Sequence, residues 1–534
     1  MKSKSLSFFW IVTILYISVC IVFPLVCVAL SVTPGDLKAV FSTDVWLTAM
    51  RNTVLECVCS STLSVLVGYI FAYAVVKGDI PFSKVFRAVP IIHLVTPPFV
   101  GGLSFILLVG RQGFITKTLL GLDVSLYGFW GLLISQVLCF FPIAYMICAE
   151  TLRGMNPNYE QAALGMGASR LRIFLTITLP LSLPGILSAL LFIAVSVLSD
   201  FGNPMIVAGR FRVLAVEIYT QLTGWMNAGI SASIGLVLVV PSVLLFLAQN
   251  NLVKKNAKKT ATIGGKSQFL PSKKSSLPTR IFLTAFCIAV SLAVLLQFVA
   301  IIFGAFQKLW GIDTSFTLKH ILSVFNYSTE LKNSVFFAFL GALISTFFSC
   351  VSAFIVSRTD LKLKRCIDIF AQIPAAVPGS LFGLAFSLAA NSVGFKNSAA
   401  LIVIAISVGF LPFSYRIMTS VLSQIKTSLD DGATSLGAGK IRGLFTVLLP
   451  ISSGGIFSSF LYDFVRGVGT MSAVIFLVSF KTPLTSIKIL NLAEEGFWGK
   501  AASLALFLTI ITFSVIGGGK LFAKLISGMR RREK

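Results

Sequence analysis

The sequence predicts an all-α polytopic membrane protein with about 12 transmembrane helices in two homologous six-helix halves. Three observations lead there. Of 534 residues, 56% are apolar and only 12% are charged, about half the charged share of an ordinary soluble domain. The apolar residues fall in runs of roughly 18–25, long enough to cross a hydrocarbon core of about 30 Å as helices. The chain also repeats itself. Tyr159–Pro180 reads YEQAALGMGASRLRIFLTITLP, and Leu429–Pro450 reads LDDGATSLGAGKIRGLFTVLLP. Gly167 matches Gly437, Pro180 matches Pro450, Pro142 matches Pro412 and Tyr145 matches Tyr415, all at an offset of 270. Gapless agreement over about 45 residues marks a tandem duplication.

The first half spans residues 1–253. A short cationic start, with Lys2 and Lys4, precedes an apolar run near 8–31. That run is too long for a cleaved leader and lacks a clean small-x-small site, so it reads as the first span. Further spans are expected near 53–76, 88–110, 126–149, 178–207 and 229–252. A linker at 254–280 is rich in Lys, Ser, Gly and Pro and reads as a flexible connection. It contains Gly265-Lys266-Ser267, the tail of a phosphate-binding loop, but Thr260 stands where that loop needs its first glycine. The second half, 281–534, repeats the pattern with spans near 281–304, 334–356, 367–390, 398–421, 449–479 and 501–524. Pro97-Pro98 and Pro378-Gly379 predict kinks in the third span of each half.

Cations set the expected topology. The net charge of +25 is explained by cations flanking spans, and no nucleic-acid partner is expected. With both termini in the cytoplasm, 29 of the 44 Lys and Arg fall in cytoplasmic segments and 13 in the opposite loops. Arg416 and Arg466 lie within spans. This arrangement puts both copies of the repeated segment, 155–172 and 425–442, on the cytoplasmic side.

Other chemistry is poorly supplied. His93 and His320 are the only histidines, and the nine cysteines include no CxxC pair. No metal-ligand cluster, catalytic constellation or cofactor site is expected. Within each repeated segment, a small-residue helix is followed by a glycine and then by a proline opening the next span. Asn156-Pro157-Asn158 is a helix-start signal for the first copy. The result is a short helix lying along the cytoplasmic face of the membrane.

At this point the sequence resembles a known family. The two segments are similar to the EAA signature of the membrane subunits of ATP-binding-cassette importers. In the first, Gln161-Ala162-Ala163, Gly167 and Ile177-x-Leu179-Pro180 fit its spacing. In the second, Asp431-Gly432-Ala433, Gly437 and Val447-x-Leu449-Pro450 do. The departures are Gln161 and Asp431 in place of the signature glutamate, and Gly432 in place of an alanine. The resemblance implies a type I importer permease fold without ATPase activity of its own. It implies a bacterial inner-membrane location, binding-protein-dependent transport, two copies of a separate cytoplasmic ATPase subunit, and an extracytoplasmic solute-binding protein. The coupling residues it implies are Tyr159, Glu160, Gln161, Ala162, Ala163 and Gly167, then Leu429, Asp430, Asp431, Gly432, Ala433 and Gly437.

Ionisable residues inside spans are candidates for the translocation path or its gate. Asp200 and Asn203 lie in VLSDFGNPMIVAG, where Gly202 and Pro204 interrupt the helix. Asp463 and Arg466 lie in LYDFVRGVGTMSAV, at roughly the corresponding point of the second half. Spaced i, i+3, the latter two either line the path or pair with each other. The DFG sequence after the fifth span and SAVIFLVS in the second half look like ferric iron permeases. Thiamine, phosphonate and polyamine permeases share much of this pattern. An ion-coupled secondary transporter is the alternative class, but such a carrier has no need of two cytoplasmic docking segments.

Overall fold

The structure, a computed structural model, describes residues 4–122, 126–261 and 276–532. Gly265-Lys266-Ser267 and most of the 254–280 linker lie outside the described residues.

In chain order the main helices are α1 (Leu6–Ser31), α2 (Asp44–Val76), α3 (Ser83–Val95), α4 (Pro98–Val109), α5 (Phe129–Arg153), α6 (Asn158–Gly165), α7 (Leu179–Leu198) and α8 (Ala228–Ala261). There follow α9 (Leu277–Phe306), α10 (Ser328–Arg358), α11 (Lys364–Gln372), α12 (Gly379–Ser392), α13 (Ser398–Gln424), α14 (Ser428–Ser435), α15 (Leu449–Val468) and α16 (Trp498–Arg532). A two-stranded hairpin, β1 (Gln307–Leu309) and β2 (Asp313–Phe316), follows α9.

Among the described residues, ten helices are continuous, long and apolar enough to cross a membrane. They correspond to ten of the twelve expected spans. The third span of each half is instead broken. In the first half, Thr96 and Pro97 are both extended, with ψ of 142° and 136°, between α3 and α4. In the second, Pro378 is extended at ψ 139°, and the helical segments on either side of the break meet at 110°. Proline removes an amide donor and forces its predecessor out of the helical region, so the expected kinks become full breaks.

The fifth spans are also displaced from the expected 178–207 and 449–479. The apolar helices run over Arg170–Leu198 and Lys440–Val468. A wide π turn, Phe174–Thr178 or Leu444–Leu448, lies just before Pro180 or Pro450. An extra residue in the turn accommodates the missing proline amide without ending the helix.

The chain divides into two compact units that do not follow the repeat. One contains Met1–Thr43, Ala215–Val239 and Phe316–Lys534; the other contains Asp44–Leu214 and Val240–Ser315. The repeat boundary near 254–280 therefore describes the duplication, and the compact units cut across it. In the first unit α1 packs on second-half helices. The Trp10 indole donates to the Lys362 carbonyl at 3.0 Å, and the Tyr16 hydroxyl hydrogen-bonds Ser407 at 2.9 Å. The Tyr16 ring stacks on Phe348, centroids 3.8 Å apart. In the other unit α9 packs on first-half helices: Val294 joins Val89 and Phe141 in one apolar cluster, and His93 meets Phe298 edge-on.

Small residues set the closest helix crossings, as expected where lipid removes most of the hydrophobic drive for helix pairing. Ser60, Ser64, Gly68 and Ala72 form a buried stripe on α2. A Cβ at Gly68 would come within 2.4 Å of the Ala144 Cβ on α5. A Cβ at Gly341 on α10 would stand 2.6 Å from Ile406 on α13.

Candidate functional site

Both repeated segments form the expected short helices, α6 and α14. Each ends in the same hydrogen-bonded cap. Gly167 sits at φ +82° and Gly437 at φ +78°, left-handed conformations that a side chain disfavours. The Gly167 amide donates to the Leu164 carbonyl at 3.0 Å, and the Ala168 amide to the Ala163 carbonyl at 3.0 Å. In the second copy Gly437 donates to Thr434 and Ala438 to Ala433, both at 2.9 Å. These are the paired bonds of a Schellman cap. They give a physical reason for the four-residue interval between Ala163 and Gly167, and between Ala433 and Gly437.

Each helix is also held at its start by an ion pair to the end of its unit's long second-span helix. The Lys77 Nζ, just past α2, lies 3.1 Å from the Glu160 carboxylate, and Thr178 Oγ1 donates to the other Glu160 oxygen at 3.0 Å. In the second copy Arg358, ending α10, lies 2.9 Å from the Asp430 carboxylate. Arg358 also donates to the Leu422 and Ile425 carbonyls at 2.6 and 2.5 Å. Nearby, the Lys364 ammonium donates to Asp360 at 2.9 Å and holds its carboxyl below the usual range, with a smaller pull from Lys440.

The expected coupling residues thus divide by face. Glu160, Asp430 and the buried Ala163 turn inward. Tyr159, Gln161, Ala162, Gly167, Leu429, Asp431, Gly432 and Gly437 are exposed, and Ala433 is half-buried. Two outward residues escape sequence reasoning. Met166 is 82% exposed and Leu436 is 90% exposed, at matching positions one residue before the capping glycine. A shared apolar residue at an otherwise variable position of the repeat is the signal that finds them. Lys77 and Arg358 escape it too, because their partners are distant in sequence.

The expected path residues fall into two different settings. Asp200 lies beyond the end of α7, half-buried, in a polar cluster. Gln136 on α5 sits at its centre. The Gln136 Nε2 donates to Glu56 on α2 at 2.5 Å and to Asp200 at 3.0 Å. Ser60 donates to the Gln136 carbonyl oxygen at 2.8 Å. Asn203 Nδ2 donates to Asp200 at 2.9 Å, while its carbonyl oxygen accepts from Ser135 at 3.0 Å. Glu56, Gln136, Ser60, Ser135 and Asn203 are all buried. Two carboxylates are thus separated by one amide nitrogen. Glu56 and Gln136 are missing from the sequence-based site, although the rule that singles out Asp200 applies equally to Glu56.

Asp463 does not occupy the corresponding position. It lies within α15, whereas the positions 270 residues beyond Asp200 and Asn203 are Thr470 and Ala473. Nor does it pair with Arg466. Asp463 is fully buried and accepts from Ser414 at 2.7 Å, while Arg466 lies against Tyr462.

A duplicated, predominantly helical membrane protein with a capped surface helix in each copy points to the class: a transport permease with two homologous halves. The comparisons with known proteins agree. The profile described as "Binding-protein-dependent transport system inner membrane component" matches residues 64–258 and again 345–527. The chain belongs to this family, and to the multi-pass inner-membrane proteins it comprises. Among its relatives, the "Ferric transport system permease protein FbpB" of Actinobacillus pleuropneumoniae is 31% identical over 81% of this chain and 64% of its own length. The "Putative ferric transport system permease protein FbpB 1" of Haemophilus influenzae is 32% identical over 75% of this chain and 65% of its own. A second protein of Haemophilus influenzae, "Fe(3+)-transport system permease protein FbpB 2", is 23% identical over 87% of both chains. The chain thus spans slightly less than two thirds of the first two relatives.

Proposed function

We propose that this chain is the membrane subunit of an ATP-binding-cassette importer that passes ferric iron, delivered by an extracytoplasmic binding protein, into the cytoplasm. The observation that carries the coupling role is the matched pair α6 and α14. Each is pinned at its start by an ion pair, closed by a left-handed glycine, and presents an exposed apolar residue beside that glycine. A rigid surface helix of this kind transmits movement of a docked protein into the span that follows it. Two such helices call for two ATPase subunits. The expected residues Tyr159, Gln161, Ala162, Leu429, Asp431 and Gly432 then contact those subunits, together with Met166 and Leu436. Glu160 and Asp430 act through Lys77 and Arg358. Iron is supported by the names of the three relatives. Thiamine, phosphonate or polyamine remains the second substrate reading from the sequence pattern. Asp200 and Asn203, with Glu56 and Gln136, form the polar cluster assigned here to the path or its gate.

The test replaces the two outward apolar side chains. Met166→Asp combined with Leu436→Asp is expected to abolish co-purification of the ATPase subunit and ATP-driven uptake of radioactive ferric iron, with normal accumulation in the membrane. Unchanged association and uptake would overturn the coupling role. Uptake in vesicles lacking any ATPase, driven by an ion gradient, would instead establish a secondary transporter.

We further place both termini, α6 and α14 in the cytoplasm, on the strength of the cation asymmetry. Cys366 is exposed at the start of α11, close in sequence to the Arg358–Arg365 cation cluster. In a variant retaining only this cysteine, a membrane-impermeant maleimide should label Cys366 after permeabilisation and not in intact spheroplasts. Labelling from outside would invert the topology.

A further inference from the structure

One face of α1 is apolar and exposed along its whole length. Phe8, Ile11, Leu15, Val19, Val26 and Leu30 lie on it, at intervals of three, four or seven residues that make a single helical stripe. On a membrane span such a stripe meets lipid. The helix has 26 residues, about 39 Å at 1.5 Å per residue, against a hydrocarbon core of about 30 Å. About three residues therefore project beyond the core at each end. Trp10, in the second turn, stands at the level where aromatic side chains gather at a membrane surface.

The Trp10 indole fixes the loop after α10 at that level, through its 3.0 Å bond to the Lys362 carbonyl. The next residue, Leu363, has φ +64° and is 53% exposed. A bulky side chain in the left-handed region is an outlier, and this one leaves an apolar group outside the core. The arrangement recurs in the first half. Leu363 is five residues beyond the ion-paired Arg358, and Phe82, five beyond the ion-paired Lys77, has φ +57° and is 76% exposed. Water favours neither side chain outside, whereas a membrane surface accepts both.

Cations surround Leu363. Lys362 and Arg365 are exposed and make no ion pair among the described residues. Two acidic groups of this corner are already taken, Asp360 by Lys364 and Asp430 by Arg358, both at 2.9 Å. Lys440 and Arg442 are exposed on the turn after α14. Phe445, just beyond them, meets Phe9 of α1 with ring centroids 6.3 Å apart. All of these residues belong to one compact unit. Positive charge thus exceeds negative beside the lipid-facing start of α1, with an exposed leucine set between two of the cations. Solvated cations have no use for that leucine. An anionic phospholipid suits both, with a phosphate for the cations and acyl chains for the apolar groups.

We propose that Trp10, Lys362, Leu363 and Arg365 form a binding patch for an anionic phospholipid where the start of α1 meets the start of α11. Lys362 and Arg365 attract the phosphate, and Leu363 enters the edge of the acyl region. The bound lipid fastens α1 to α11. The leaflet concerned rests on the placement of the termini proposed above; the preference for an anionic lipid does not.

The experiment uses the full chain in nanodiscs of phosphatidylcholine containing a small, equal fraction of brominated phosphatidylglycerol or brominated phosphatidylcholine. Bromine quenches nearby indoles, and the difference between wild type and Trp10→Phe isolates the signal of Trp10. We expect brominated phosphatidylglycerol to quench Trp10 more strongly. The ratio of the two lipids' apparent affinities should fall about fivefold in Lys362→Gln and again in Arg365→Gln. Equal quenching of Trp10 by the two lipids overturns the proposal. So does an unchanged preference in the double variant that has lost co-purification of the ATPase subunit, which assigns the patch to that protein. If the double variant does not accumulate, wild type at about 0.5 M salt decides, since screening must weaken an attraction between exposed charges. A preference that ignores salt overturns the patch.

Discussion

Under the proposed function, ATP-driven uptake is expected to collapse when valine replaces both Gly167 and Gly437, while the protein still reaches the membrane. Each glycine holds a left-handed conformation that closes its surface helix. A β-branched residue there costs about 1–2 kcal/mol, which is a large fraction of what holds an eight-residue helix on a surface. Nothing lies within 4 Å of a Cβ built at either glycine, so the strain is in the backbone and the rest of the unit is untouched. Single replacements should not be equal. The Glu160 carboxylate engages both Lys77 and Thr178, whereas Asp430 is held by Arg358 and its helix carries Gly432 in its interior. An interior glycine weakens a helix by about 1 kcal/mol relative to alanine. Gly437→Val should therefore reduce ATP-driven uptake more than Gly167→Val. Gly432→Ala should restore part of what Gly437→Val removes. Uptake assays on membrane vesicles with matched protein levels would decide, and equal losses from the two single variants would refute the asymmetry.

The second large effect is expected at Gln136. Its amide nitrogen is the donor standing between the Glu56 and Asp200 carboxylates. Gln136→Leu keeps the volume and removes that donor, leaving two acidic groups facing one another in a buried space. The loss should be about 3–5 kcal/mol, the usual cost of stranding a buried charged group. It should be visible as a large drop in unfolding midpoint. Glu56→Gln alone should cost much less, since an amide can still meet Gln136. Combined with Gln136→Leu, it should recover a good part of the stability. Residues in one hydrogen-bond network couple in this way, and independent sites do not. Strict additivity of the two changes would show that the cluster does not act as one network.

Much of the architecture can be read from residues alone, because long apolar runs of this length read as membrane helices, but prolines do not mark breaks by themselves: Pro142 and Pro412 lie inside continuous helices. Pro97 and Pro378 are visible as disturbances, yet the extent of each break depends on the extended backbone at the proline and on a neighbouring helix to receive the turned segment. The repeated surface helices are legible for a local reason: their cap requires a glycine four residues after a particular alanine. What each helix presents outward is not legible. The contact of Glu160 with Lys77, 83 positions earlier, is invisible along the chain. Glu56 and Gln136 are overlooked because each stands alone in its own apolar run, and only the packing of α2 on α5 joins them to Asp200. Likewise Asp463 and Arg466 have the spacing of an ion pair, but the helix turns them toward different neighbours.

The attachment of α1 has a bearing on how the protein is made. Tyr16 must find Ser407, which follows it by 391 residues. At about 5–20 residues per second, a ribosome needs roughly 20–80 s to deliver that partner. During this interval α1 lies in lipid without the neighbours for its indole and phenol groups, while six further continuous spans emerge. The nascent protein therefore passes through a long-lived state in which α1 is not yet seated against its second-half partners. Any insertion machinery that receives it has to hold that helix apart from the neighbours it meets first.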